Sequence, residues 1–101
     1  MSVTDLDRRR LQQILQRLKS LIFSHLDETT RQQIQAQLSQ LDEMYTNNQI
    51  NIDEYKIKSI ALLLQFWEPN RREQFLYRET GSFLTDNEKF TLTQFSQKLR
   101  D

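Results

Sequence analysis

Leu11, Leu15, Leu18 and Ile22 follow one another at intervals of four, three and four residues, and Ile14 and Leu21 lie beside that line. The positions between them are Gln, Arg and Lys. Only an α-helix brings such spacings onto one face, so the pattern predicts an amphipathic helix from about Asp5 to Leu26. Thr4 is its expected cap, with Asp7 three residues on. Ile34, Leu38, Leu41 and Tyr45 repeat the spacing, and Met44 widens it. They predict a second helix from about Glu28 to Tyr45, capped by Asp27. A link of a few residues around His25 to Thr29 favours an antiparallel helical hairpin. Each stripe is too short to specify a coiled coil.

The polar run Thr46-Asn47-Asn48-Gln49 breaks the pattern. Asn51 then precedes Glu54 by three residues, in the manner of a capping box, and Ile50 and Tyr55 occupy the hydrophobic-staple positions. A third helix is expected from about Ile52. From Ile60 onward it is apolar on most sides, which predicts the central, most buried helix. Trp67-Glu68-Pro69-Asn70 ends it and opens a fourth helix from about Pro69 to Thr80, with Gly81 as its C-terminal stop. Thr85 and Glu88 form a second capping box, opening a fifth helix that carries Phe90, Leu92, Phe95 and Leu99. No domain boundary, low-complexity tract or strong internal repeat stands out.

Composition reinforces the helical reading. One Gly and one Pro in 101 residues leave too little turn chemistry for sheets and tight hairpins. The expected fold is all-α: one domain over residues 1–101, a small irregular bundle of four to five helices. Its N-terminal αα-hairpin is followed by a central apolar helix and two short C-terminal helices. The hydrophobic share of 37% is lean for a globular domain, and thin cores in short chains favour association with a partner or with a second copy. Leu11, Leu15, Leu18 and Ile22 are the expected self-association face.

Charge changes the picture locally. The chain balances 14 basic against 14 acidic residues, so no overall field draws it to nucleic acid or anionic lipid. Yet Arg8, Arg9, Arg10, Arg17 and Lys19 gather in the first helix, and Arg71, Arg72 and Arg78 lie among Phe75 and Tyr77 in the fourth. Basic and aromatic residues together suit single-stranded nucleic acid, which makes Arg8, Arg9, Arg10, Arg17 and Lys19 the alternative nucleic-acid set. Asp5, Asp7, Glu73 and Glu79 interrupt both segments, and a solvated helix face is the simpler expectation.

Catalytic chemistry finds little support. Without Cys, thiolate sites and disulfides are excluded, and a lone His25 leaves no hydrolytic triad of standard form. A single Gly cannot build a phosphate-binding loop. The stretch from Asn47 to Tyr55 resembles the second half of an EF-hand calcium loop, but Tyr45 stands where a carboxylate belongs and Asn48 replaces the turn Gly. A capped helix start is the expectation there. The same region, roughly Leu38 to Leu64, resembles a SHOCT-type helical hairpin: a Leu-rich helix, a short turn, then Ile50, three residues and Glu54-Tyr55 opening the next helix. That resemblance implies an interaction or oligomerisation module, although the usual turn Gly is missing and Ile52 fills an ordinarily polar place.

No cofactor, metal or enzyme activity is expected. No apolar run approaches a membrane span, no secretory leader is apparent, and a cytoplasmic setting is expected. The expected function is a protein–protein interaction module, a small adaptor, assembly factor or regulator. Trp67, Arg71, Arg72, Phe75 and Tyr77 are the candidate partner-binding residues, because Trp, Tyr and Arg dominate interface hot spots.

Overall fold

A computed structural model describes the backbone of residues 3–100 and the side chains of residues 6–68 and 70–93. Five α-helices follow one another: α1 (Val3–Ile22), α2 (Glu28–Thr46), α3 (Ile52–Leu64), α4 (Pro69–Arg78) and α5 (Asp86–Arg100). Short 3₁₀ turns at Phe23–His25 and Gly81–Phe83 join α1 to α2 and α4 to α5. The all-α bundle expected from the periodicity is the observed fold. Helix α1 starts earlier than expected, so Thr4 lies inside it rather than capping it, and His25 sits exposed in the 3₁₀ turn.

Local chemistry sets most of the boundaries. Asp27 accepts the Thr30 N–H at 2.7 Å and caps α2. Asn51 does the same for α3 through Glu54 N–H at 2.8 Å, while Glu54 itself reaches forward to Lys58. Thr85 and Glu88 complete a reciprocal capping box at α5, at 2.9 and 3.1 Å. Asn48 and Gly81 take left-handed backbone angles, φ 61° and 53°, at the turns that follow α2 and α4. Gly has no Cβ to clash there, and Asn is among the few other residues that tolerate it.

Helix α3 is the hub. Tyr55, Ile60, Ala61, Leu63 and Leu64 are all buried along it. Its closest packing is with α1, α2 and α5, whereas α1 and α2 are neighbours without packing closely on one another. The hairpin closes at its far end through Arg8, whose Nη2 donates to Asp42 Oδ1 at 2.7 Å. Tyr55 donates to the same oxygen at 2.8 Å, and its ring stacks on Tyr45 with centroids 5.0 Å apart. One carboxylate thus ties α1, α2 and α3 together.

The three leucines and one isoleucine expected to mediate self-association are residues of the core. Leu11 and Leu18 are 0% exposed, Leu15 6% and Ile22 1%. They face α3 and the shared core, so the amphipathic stripe of α1 is satisfied within the chain and offers no face to a second copy. Phe90 departs in the other direction: expected as apolar content of α5, it is exposed. Phe95 and Leu99 lie outside the described side chains.

Candidate functional site

With α1 and α4 both held against the bundle but not packed closely on each other, a cleft opens between them. It consists of two adjoining depressions that share Phe75 and Glu79. The smaller, about 250 Å³, is lined by Arg10, Gln13, Ile14 and Arg17 of α1. The larger, about 530 Å³, is lined by Leu21 of α1, by Trp67, and by Arg71, Gln74 and Arg78 of α4. Arg17 reaches over the junction, its Nε 3.0 Å from Glu79 Oε1.

The floor is apolar and stiff. Phe75 is buried and meets the half-buried Trp67 edge to face, with centroids 5.9 Å apart. The Trp67 carbonyl accepts from Nε of the buried Arg72 at 2.7 Å, which pins the end of α3 onto α4. The indole Nε1–H is buried and has no hydrogen-bond acceptor among the described residues.

The rim is basic. Arg10, Arg17, Arg71 and Arg78 line the two depressions, against the single carboxylate of Glu79. Arg10 lies 5.3 Å from the centroid of the Phe83 ring, a contact that orients the guanidinium without neutralising it. Arg71 is 3.9 Å from Glu68, and both side chains are more than half exposed, so that pair holds little of the arginine's charge. A protein with no net charge therefore concentrates cationic groups along one cleft.

The two walls share a sequence. Arg10-Leu-Gln-Gln13-Ile14-Leu15-Gln-Arg17 and Arg71-Arg72-Glu-Gln74-Phe75-Leu76-Tyr-Arg78 both read Arg, two residues, Gln, an apolar residue, Leu, one residue, Arg. In each, the two arginines and the glutamine line the cleft, and the Leu is buried in the core. No strong repeat was expected, and this short one is the signal that identifies the cleft residues.

The candidate residues of the fourth helix divide. Trp67 and Arg71 line the cleft, and Phe75 forms its floor. Arg72 is 1% exposed, so it is a structural arginine rather than a contact for a partner. Tyr77 is 48% exposed on the outer side of α4, where Lys89 lies 5.4 Å from its ring centroid. The basic set of α1 divides too. Arg8 is tied to Asp42, Lys19 lines a separate groove between α1 and α2, Arg9 is exposed, and only Arg10 and Arg17 reach the α1–α4 cleft.

That second groove, about 470 Å³, is walled mainly by Gln12, Gln16, Gln35 and Ser39. Its one acid, Asp42, is engaged by Arg8 and Tyr55. Burial, then the bond to Asp42, raises the Tyr55 hydroxyl to about 12, so it stays a neutral donor under physiological conditions. Arg8 is raised as well, first by its bond to Asp42. This constellation is a structural lock between helices, with no free acid–base pair in it.

The acidic stretch that resembles a calcium loop also has a structural role: Asn51 caps α3, and no group of three metal-ligating side chains occurs among the described residues. Among those residues no helix is long and apolar enough to cross a membrane. The chain matches no known family model, curated protein or solved structure.

Proposed function

We propose that this chain is a non-catalytic protein-interaction module, a small adaptor, assembly factor or regulator, and that its partner seats in the cleft between α1 and α4. The observation that carries this reading is the pairing of an apolar floor, Phe75 and Trp67, with a rim of four arginines. Interfaces draw much of their energy from aromatic groups that the partner desolvates, here the half-buried Trp67 over the buried Phe75, while charged rims set orientation and association rate. The α1–α2 groove lacks that combination, since its charged groups are few and its acid is engaged within the chain.

Affinity capture from extract with and without nuclease treatment tests the reading, comparing the native chain with Arg71→Glu/Arg78→Glu. Both side chains are exposed, so the double variant is expected to fold, which circular dichroism checks. A partner retained by the native chain and lost by the folded variant supports the proposal. Equal recovery by both overturns it. Recovery that requires nucleic acid moves the assignment to the arginines as phosphate ligands.

A further inference from the structure

Resting on the reading of the α1–α4 cleft as a partner site, we propose that its occupant is an acidic amphipathic helix, with carboxylates flanking a stripe of bulky apolar residues. Three features of the cleft point to this chemistry.

The first is charge. Arg10 and Arg17 on one wall and Arg71 and Arg78 on the other line the cleft with a single lining acid, Glu79, which Arg17 already engages, and the exposed Glu68 at 3.9 Å holds Arg71 only weakly. An occupant bearing several carboxylates meets a matching field, and a basic or neutral one does not.

The second is spacing. On each wall the two arginines stand seven residues apart, two helical turns, or about 10 Å along the axis. Acidic residues at the same seven-residue spacing on a partner helix, with others three or four residues between, present carboxylates in register along both walls. The apolar stripe between them then lies over the half-buried Trp67 and Leu21, as amphipathic helices lie in grooves elsewhere.

The third is the shape of the floor. Phe75 is only 2% exposed, so the apolar groups the cleft still offers are the half-buried Trp67 and Leu21. Apolar side chains of a helix can pack on those edges, whereas a single strand of nucleic acid needs exposed aromatic platforms to stack on.

A second copy of this chain fits poorly. Among the described residues its most acidic helix is α2, where Asp42 is held by Arg8 and Tyr55 and the apolar Ile34 and Leu38 are buried. No helix there displays acids beside an exposed apolar stripe.

Selection from a display library tests the proposal without presupposing a sequence. The library holds helices of about 15 residues, a length at which isolated helices begin to persist, with apolar positions and their flanks randomised. It is selected on the folded native chain and counter-selected on Arg10→Gln/Arg17→Gln/Arg71→Gln/Arg78→Gln. The expected result is enrichment of Asp and Glu at the flanking positions. Synthetic versions of the selected helices should lose about tenfold or more in affinity for the quadruple variant, since each exposed ion pair contributes modestly and four act together. Affinity should also fall as salt rises from about 0.05 to 0.5 M.

Selected helices that compete for the cleft but carry no excess of acid overturn the acidic assignment and leave the cleft as a partner site. Helices whose binding ignores the four arginines, or a library that yields no binder, count against the cleft itself. Tight binding of a single-stranded oligonucleotide, lost in the same variant, would replace the protein helix by nucleic acid.

Discussion

Arg17 and Glu79 join α1 to the end of α4 across the junction of the cleft, Nε to Oε1 3.0 Å, with side chains 56% and 39% exposed. An ion pair so exposed contributes little to folding, at most about 1 kcal/mol. Its larger effect is on the cleft, because Glu79 is the one carboxylate among the lining arginines. Replacing Glu79 by Gln should change the urea midpoint only slightly. It should tighten binding of an acidic helix several-fold by freeing Arg17, as measured by fluorescence anisotropy with the selected peptide.

Tyr55 makes stability depend on pH at the alkaline end. Its hydroxyl ionises at about 12 in the fold, against 10.0 as the ordinary value. The folded state therefore keeps the proton more tightly than the unfolded chain. The stabilisation from this group is fully present below pH 10 and is lost as pH rises through about 12, amounting to roughly 2–3 kcal/mol over that window. Urea unfolding between pH 9 and 11.5 compared for native protein and Tyr55→Phe isolates it: the native protein should lose stability more steeply, and the variant should be less stable at the lower pH.

Leu18 of α1 is fully buried against the core, whereas Leu6 on the same helix is 48% exposed. Leu18→Ala should cost about 2–5 kcal/mol, with an unfolding midpoint that does not move with protein concentration, because the lost contacts are within one chain. Leu6→Ala should be within about 0.5 kcal/mol of the native protein. A midpoint that rises with concentration would return the α1 stripe to a role between copies.

Gly81 has φ +53°, and a Cβ built there meets nothing within 4 Å. Gly81→Ala should therefore cost about 1–2 kcal/mol through backbone strain alone, with no repacking. Asn51→Ala removes the acceptor for Glu54 N–H and should cost about 1 kcal/mol. Thermal denaturation with circular dichroism measures both.

Much of the fold is legible in the sequence because its signals are local. The Asn51 and Thr85 caps, the apolar run from Ile60 to Leu64 and the positive-φ Gly81 each act within a turn of their own position. What the sequence does not display is how two helices are set against each other. Leu11 to Ile22 reads equally well as a dimer seam or as a core face, and only the placement of α3 decides between them. Arg72 shows the same limit, since a surface arginine and one buried under the Trp67 carbonyl look alike in a helical wheel. Arg8 and Asp42 are far apart in sequence, so nothing in either segment announces the lock they form with Tyr55. The cleft is half-visible: residue type marks Arg10, Arg17, Trp67, Arg71, Phe75 and Arg78, but Gln13 and Gln74 emerge only once the two matching octapeptides are found to line adjoining depressions.

The most direct test of the cleft is site-specific photo-cross-linking with a benzophenone amino acid at Gln74, in the α1–α4 cleft, and at Ser39, in the α1–α2 groove. Both positions are exposed, so neither substitution should disturb the core. The expected result is a discrete protein adduct from Gln74, competed by the selected acidic helix, and none from Ser39. An adduct formed at Ser39 and absent at Gln74 would contradict the assignment and move the binding surface to the other side of α1.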